Sequence, residues 1–407
     1  MLHRVCFNRL VACVALACGA GFAHAAGFAL IEQNASGLGN AYAGQAAVAA
    51  DASTIFFNPA GLTELSDMQV VVSGNLIQPS AEFSGSASPS FGGGQGGDAG
   101  GLAFVPNLYF SLPLASNVSA GVGIYAPFGL KTEYDAGWVG RFQALKSEIN
   151  TVNVNPSVAW KINDRLSLGV GVDVQRIDAT LSNNITPAVS GSLMTVTGKD
   201  YGWGYNLGLL WQPDQDTRIG LAYRSQIDYT LTGQLTANAV LPSGDVAADV
   251  TMPASASLSL LRKLAPNVDL LADVTWTGWS AFDRLAVVYT SLPVALPVTQ
   301  ENWRDNWRYS LGATWHQDSA WNWRAGVAYD QTPVSDAYRT PRIPDESRTW
   351  IALGGQYRMD KKNAIDFGYA HLFIKSASIN STTAAGALTG TYDNYVNIVS
   401  AQYTHGF

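Results

Sequence analysis

Trp321-Asn322-Trp323-Arg324-Ala325-Gly326-Val327-Ala328-Tyr329-Asp330 is two interleaved sets of residues. One parity is Trp321, Trp323, Ala325, Val327 and Tyr329, apolar with aromatic ends. The other is Asn322, Arg324, Gly326, Ala328 and Asp330, small or polar. Successive strand side chains point to opposite faces, so a strand here has one greasy face and one polar face. In a soluble sandwich the greasy face would meet a core. In a membrane barrel it meets lipid, and its aromatic ends mark the two interfaces.

Composition favours the membrane. Apolar residues make up 47% of the chain and charged residues 14%. Downstream of residue 25, however, no apolar run of about 18 residues or more could cross as a helix. The 40 Gly, 17 Tyr and 12 Trp suit turns, close packing and aromatic girdles. A formal charge of −7 with no basic cluster gives no sign of a nucleic-acid partner.

Residues 1–25 are expected to be an export signal: Arg4 and Arg9, an apolar stretch from Leu10 to Ala20, and the small-x-small site Ala23-His24-Ala25. A lipoprotein reading at Cys18 would want Leu three residues before the cysteine and a small residue two before. Ala15-Leu16 inverts that order. All 3 cysteines (Cys6, Cys13, Cys18) fall in this segment, so the mature chain offers no disulfide and no cysteine-bound metal. No cofactor and no metal site are expected. About 380 mature residues are long for one soluble domain but suit a barrel of roughly twelve to sixteen strands.

Residues 26–66 stand apart, small and polar with no sustained period of two. They read either as an irregular arm or as a plug inside a lumen. From residue 67 to 407 about fourteen strands are expected, at 68–83, 103–113, 117–128, 147–162, 166–179, 201–212, 217–232, 248–264, 267–289, 301–316, 320–331, 346–358, 363–374 and 394–407. Short turns such as Asn163-Asp164 and Ala265-Pro266 alternate with long connections, as in single-chain outer-membrane barrels. The inward parity is small and mildly polar, as in Ser167, Gly169, Gly171, Asp173 and Gln175. The glycine run Gly92-Gly93-Gly94-Gln95-Gly96-Gly97 precedes no helix and reads as a loop, not a phosphate cradle. The last strand places Val399, Ala401, Tyr403, His405 and Phe407 on one face, which resembles the C-terminal signature read by the barrel assembly machinery.

Several blocks resemble the FadL/TodX outer-membrane transporters. They are Ala26-Gly27-Phe28-Ala29-Leu30, Ser36-Gly37-Leu38-Gly39-Asn40-Ala41-Tyr42-Ala43-Gly44, Asn58-Pro59-Ala60, Phe128 to Tyr134, Asp330-Gln331-Thr332-Pro333-Val334 and Ile343 to Trp350. The resemblance implies a monomeric, all-β, antiparallel barrel of 14 strands in the bacterial outer membrane, plugged by an N-terminal hatch. It implies passive movement of long-chain fatty acids or other hydrophobic compounds, with sideways exit through a third-strand gap. The expected partners are that hydrophobic solute, outer-membrane lipid with lipopolysaccharide, and the assembly machinery. Carried over by position, Phe28 would line the inner pocket, and Asn58, Pro59 and Ala60 would be the hatch triplet beside the gap. Ala126, Pro127 and Gly129, faced by Ala103, would form the gap itself. Pro127 adds a physical reason, because proline cannot donate to a ladder. Fatty-acid members hold the carboxylate with basic side chains, and this chain aligns Ser182 and Thr299 there. Arg176 and Arg304 are the nearby candidates for a headgroup site. Without a basic pair, hydrocarbons and aromatic compounds become candidate cargo.

Two other functions compete. A general diffusion porin would need an open, charged constriction. A barrel hydrolase would need a lumenal histidine, whereas His371 and His405 share the outward parity and leave only His316.

Overall fold

Within Trp321–Asp330 every even-numbered residue is buried, and Trp323, Ala325, Val327 and Tyr329 are exposed. Repeated around the molecule, this alternation produces one closed antiparallel barrel of 14 strands. The computed structural model describes residues 27–407, so the expected export signal and its cleavage point lie outside the described residues. In chain order the strands are Gln69–Ser88, Ala103–Ala115, Val118–Tyr125 resumed as Gly129–Glu133, Lys146–Asn163, Leu166–Asn184, Leu193–Asp214, and Thr217–Arg224 resumed as Ile227–Ala237. They continue with Gly244–Met252 resumed as Ser255–Ala265, Val268–Thr277, Asn306–His316, Trp321–Asp330, Arg348–Arg358, Asn363–Ile374 resumed as Ala377–Thr383, and Gly386–Gly406. The first and last strands pair from Gln69↔Gly406 to Ser88↔Ala387, which closes the sheet and removes a long free edge from lipid.

The outer wall is apolar between aromatic rings. On the tenth strand Trp307 and Tyr309 are exposed toward one end and Trp315 toward the other, with Leu311 between. Trp307 to Trp315 spans roughly 27 Å along the strand at about 3.4 Å per residue, and tilt brings it near an apolar band of about 25 Å. The short turns sit at the end where Phe407 N donates to Met68 O, and the long connections sit at the other.

The fourteen-strand architecture is the expected one, and several bounds shift. The ninth strand, expected to reach 289, stops at Thr277, where Gly278 leads into the turn Trp279–Ala281 and Trp279 becomes fully buried. The tenth strand begins at Asn306, not 301. The seventh runs on to Ala237 and the eighth starts at Gly244; the eighth breaks at Pro253, which has no donor for the ladder. The last strand starts at Gly386 because the preceding connection is itself a hairpin, Ala377–Thr383 against Gly386–Tyr392.

Residues 27–65 run through the lumen as short turns, Leu38–Asn40, Gln45–Val48, Thr54–Phe57 and Pro59–Glu64. Small inward residues admit this backbone. A Cβ added at Gly169, Gly208, Gly220 or Gly326 would collide with Ala60, Asn58, Ala46 or Asn40 respectively. Side chains then fasten segment to wall: Asn40 Nδ2 donates to Ala313 O (2.8 Å) and Asn58 Nδ2 to Leu209 O (3.0 Å).

Candidate functional site

The sheet is interrupted at the third strand. Its ladder to the second strand runs from Ala115↔Val118 to Leu108↔Ile124 and ends there. Ala103 to Asn107 stay paired to the first strand. On the other side, pairing with the fourth strand stops at Tyr125↔Asn153 and resumes at Gly129↔Asn150. Ala126, Pro127 and Phe128 thus stand against only Val152 and Thr151, a bulge centred on a residue that cannot donate.

The N-terminal segment occupies the break. Leu30 N donates to Pro127 O (2.8 Å), Gly129 N donates to Phe28 O (2.9 Å), and Ala29 forms an isolated antiparallel bridge with Phe128. Phe128 N donates to Thr151 Oγ1 (3.0 Å), whose hydroxyl donates back to Phe128 O (2.6 Å). Ala103, Ala126 and Leu30 are buried in one apolar cluster. Phe28, Ala103, Ala126, Pro127 and Gly129 are therefore gathered in one place. The Asn58-Pro59-Ala60 turn packs on Gly169 and Gly208 of the fifth and sixth strands, and Pro59 lines the same lumenal cavity as Pro127. There Asn58 caps its own turn, accepting from Ala60 N at 3.0 Å.

Above the break, Phe28 is fully buried among four rings. Its centroid lies 4.6 Å from Trp279, 5.6 Å from Phe282, 5.7 Å from Trp303 and 6.2 Å from Phe128, all edge-on, an arrangement aromatic quadrupoles favour. Gly27, at φ +64°, donates its N–H to Asp345 Oδ2 (3.1 Å), and a Cβ there would press on Trp279 and Trp303. Asp345 also accepts from Thr332 Oγ1 (2.6 Å) and pairs with Arg348. The N-terminal block and the two blocks around Thr332 and Asp345, far apart in sequence, thus meet at one carboxylate.

The aromatic cluster separates two cavities. The lumenal one, about 140 Å³, has apolar walls from Ile31, Phe57, Pro127 and Trp279 and polar walls that include Asn306 and Arg308. The outer one, about 70 Å³, is walled by Leu130, Ile149, Ile177, Leu231, Val250 and Phe282. Two ionisable groups line this outer pocket, and both come from loops outside the membrane-spanning strands. Arg342 donates only to neutral atoms: Lys146 O (3.2 Å), Ser147 Oγ (3.2 Å), Ser182 O (3.4 Å) and Asn183 Oδ1 (2.9 Å). Among the described residues no carboxylate forms an ion pair with it, and burial pushes its guanidinium down to about 10. Glu301 is buried with Trp303 Nε1 donating to it at 3.1 Å, and burial raises its carboxyl to about 7. A guanidinium with no ion pair, over an apolar pocket, fits an amphiphile with an anionic head.

The headgroup candidates Arg176 and Arg304 are placed elsewhere. Arg176 faces outward, half-exposed, paired with Asp178 at 2.8 Å and set over Tyr201. Its parity is that of Val172 and Val174, so it points outward with them. Arg304 lies exposed in a loop. Arg342 and Glu301 escaped the sequence reading, although Arg342 sits one residue before the Ile343-Pro344-Asp345 block. The outward histidines bond asparagines, His371 to Asn397 and His405 to Asn363, both at 2.8 Å.

Residues 16–407 match the family model for outer membrane protein transport proteins (OMPP1/FadL/TodX). An outer membrane protein of Neisseria meningitidis serogroup B is 30% identical, with 98% of each chain aligned. The long-chain fatty acid transport protein of Escherichia coli K12 is 27% identical over 93% of this chain and 95% of its own. The crystal structure of a Pseudomonas aeruginosa FadL homologue superposes with a TM-score of 0.88 at 26% identity, covering 94% of this chain and 100% of that one.

Proposed function

The chain belongs to the OMPP1/FadL/TodX family of outer membrane transport proteins, and from that footing we propose that its cargo is long-chain fatty acid, moved passively and released sideways into the outer membrane. Family members transport fatty acids and other hydrophobic compounds, and this protein is an outer-membrane barrel of the same kind. The choice of fatty acid rests on Arg342. A hydrocarbon would fill the apolar pocket and leave that guanidinium without an ion pair, whereas a carboxylate supplies one. The outer pocket is then the capture site, the Phe28 cluster the partition, and the break at Ala126–Gly129, faced by Ala103, the exit.

Lateral exit suits the energetics. At about 0.8 kcal/mol per CH₂, a chain of about sixteen carbons would need roughly 12 kcal/mol to be released into water, and almost none to slip into lipid. Residues 27–65 act in this reading as the hatch, with the barrel proper from 67 to 407. A general diffusion pore is the weaker alternative, since most of residues 27–65 are buried against the inner wall. One chain closes the barrel, which supports action as a monomer among outer-membrane lipid and lipopolysaccharide.

The test is calorimetric titration of purified protein in mild detergent with a long-chain fatty acid and with the alkane of equal length. Arg342→Gln is expected to weaken fatty-acid binding at least tenfold, the scale of one charge-assisted hydrogen bond, and to leave alkane binding unchanged. Equal losses for both ligands, or none, would overturn the assignment.

A further inference from the structure

We propose that the side chain of Gln33 is the latch on the third-strand opening, and that cargo passes only after this amide lets go. The idea rests on the lateral route proposed above. Gln33 is fully buried. Its Nε2 donates to Leu30 O and to Ala126 O, both at 2.8 Å. The amide can sit only this way round, because a flip would set Oε1 against two carbonyl oxygens.

Ala126 lies just past the last paired residues of the third strand, Ile124 toward the second strand and Tyr125 toward the fourth. Its carbonyl therefore has no place in a ladder, and an unpaired carbonyl facing lipid is strongly unfavourable. Gln33 meets that need from inside. The latch is also anchored to the opposite lip. Gln33 O accepts from Tyr109 Oη of the second strand (3.0 Å), and Glu32 O accepts from Asn107 Nδ2 of the same strand (3.2 Å) and Asn75 Nδ2 of the first (2.8 Å). Residues 32 and 33 thus bridge second strand to third where the sheet does not. The same short segment carries Phe28 and Leu30, so cargo that displaces Phe28 pulls directly on the latch.

Gln33 stabilises the closed form only, since Ala126 O loses this partner on opening whatever stands at position 33. Gln33→Met keeps the length and removes the donor. Uptake of a fluorescent long-chain fatty acid by cells expressing the intact protein is expected to rise roughly three- to tenfold, the worth of one hydrogen bond. Affinity at the outer pocket should stay at the wild-type value, and the Leu30 and Gly129 amides should exchange with deuterium faster. Tyr109→Phe, which loosens the anchor and keeps the amide, should act in the same direction by a smaller factor and carries the test if Gln33→Met does not fold. Uptake equal to or below wild type in folded variants would overturn the latch. No uptake by wild type itself would instead overturn the transport reading.

Discussion

At Glu301 the balance between burial and charge sets a pH response. Burial raises this carboxyl to about 7, against the opposing pull of the Trp303 indole N–H and of Arg342. Below that value Glu301 is neutral and Arg342 is the one formal charge on the pocket wall; above it, a carboxylate stands near the site where the cargo's own carboxylate should sit. Arg342, pushed down only to about 10, stays charged on both sides of the transition. Affinity for an anionic amphiphile should therefore fall as pH rises through about 7, by about tenfold for each pKa unit of coupling between the two carboxylates. A long-chain alkyl sulfonate, anionic throughout, keeps titration of the ligand out of the measurement. In calorimetric titrations Glu301→Gln should bind it with little pH dependence; a wild-type profile in that variant would contradict the role given to Glu301. Neither residue was legible beforehand, because both lie in loops with no period to show which way a side chain points. Arg176, by contrast, is turned outward by strand parity alone, beside Val174.

The third strand shows what local sequence can and cannot disclose about an element. Pro127 announced the break, since a missing donor inside an apolar alternation has few other outcomes. The rest depended on partners remote in sequence: Thr151 satisfies Phe128, and residues 28, 30 and 33 meet Gly129 N, Pro127 O and Ala126 O respectively. Below the break the strand is held firmly, with Tyr125 Oη donating to Asp173 (3.1 Å) and Arg224 both paired to Asp173 and lying 4.8 Å from the Phe56 ring. Motion is therefore expected above Tyr125 and not below it. Ala103 and Ala126 are small on the two facing lips, and both are buried. Replacing both with Phe should cut uptake at least tenfold while fatty-acid binding at the outer pocket and surface expression stay normal. Undiminished uptake in that double variant would rule out the lateral route. Strand ends were less legible than strand cores. Gly278 and Pro253 end or break their strands through backbone geometry, and the 375–393 connection pairs as a hairpin although its alternation is weak.

For the molecule as a whole, the fold is a closed wall and a filling cut to fit each other. The wall was readable from alternation, export and the aromatic ends, because those follow from the lipid outside. The filling was readable as a segment set apart but not in its shape, since residues 27–65 have no period and their course is fixed by the glycines they meet on other strands. Gly208 is one such glycine: a side chain there would strike the Asn58 amide, which caps the Pro59–Glu64 turn and reaches Leu209 O. Gly208→Val should leave the barrel closed, because the first and fourteenth strands pair without it, while overpacking of about 1–3 kcal/mol falls on the lumenal segment. If that segment is what excludes water-soluble molecules, loosening it should turn a hydrophobic-compound carrier into a leaky pore. Proteoliposomes with the variant should then swell in small sugars at rates the wild type does not approach. A folded Gly208→Val barrel that stays sealed to sugars would mean that the wall and outer loops, not the filling, form the barrier.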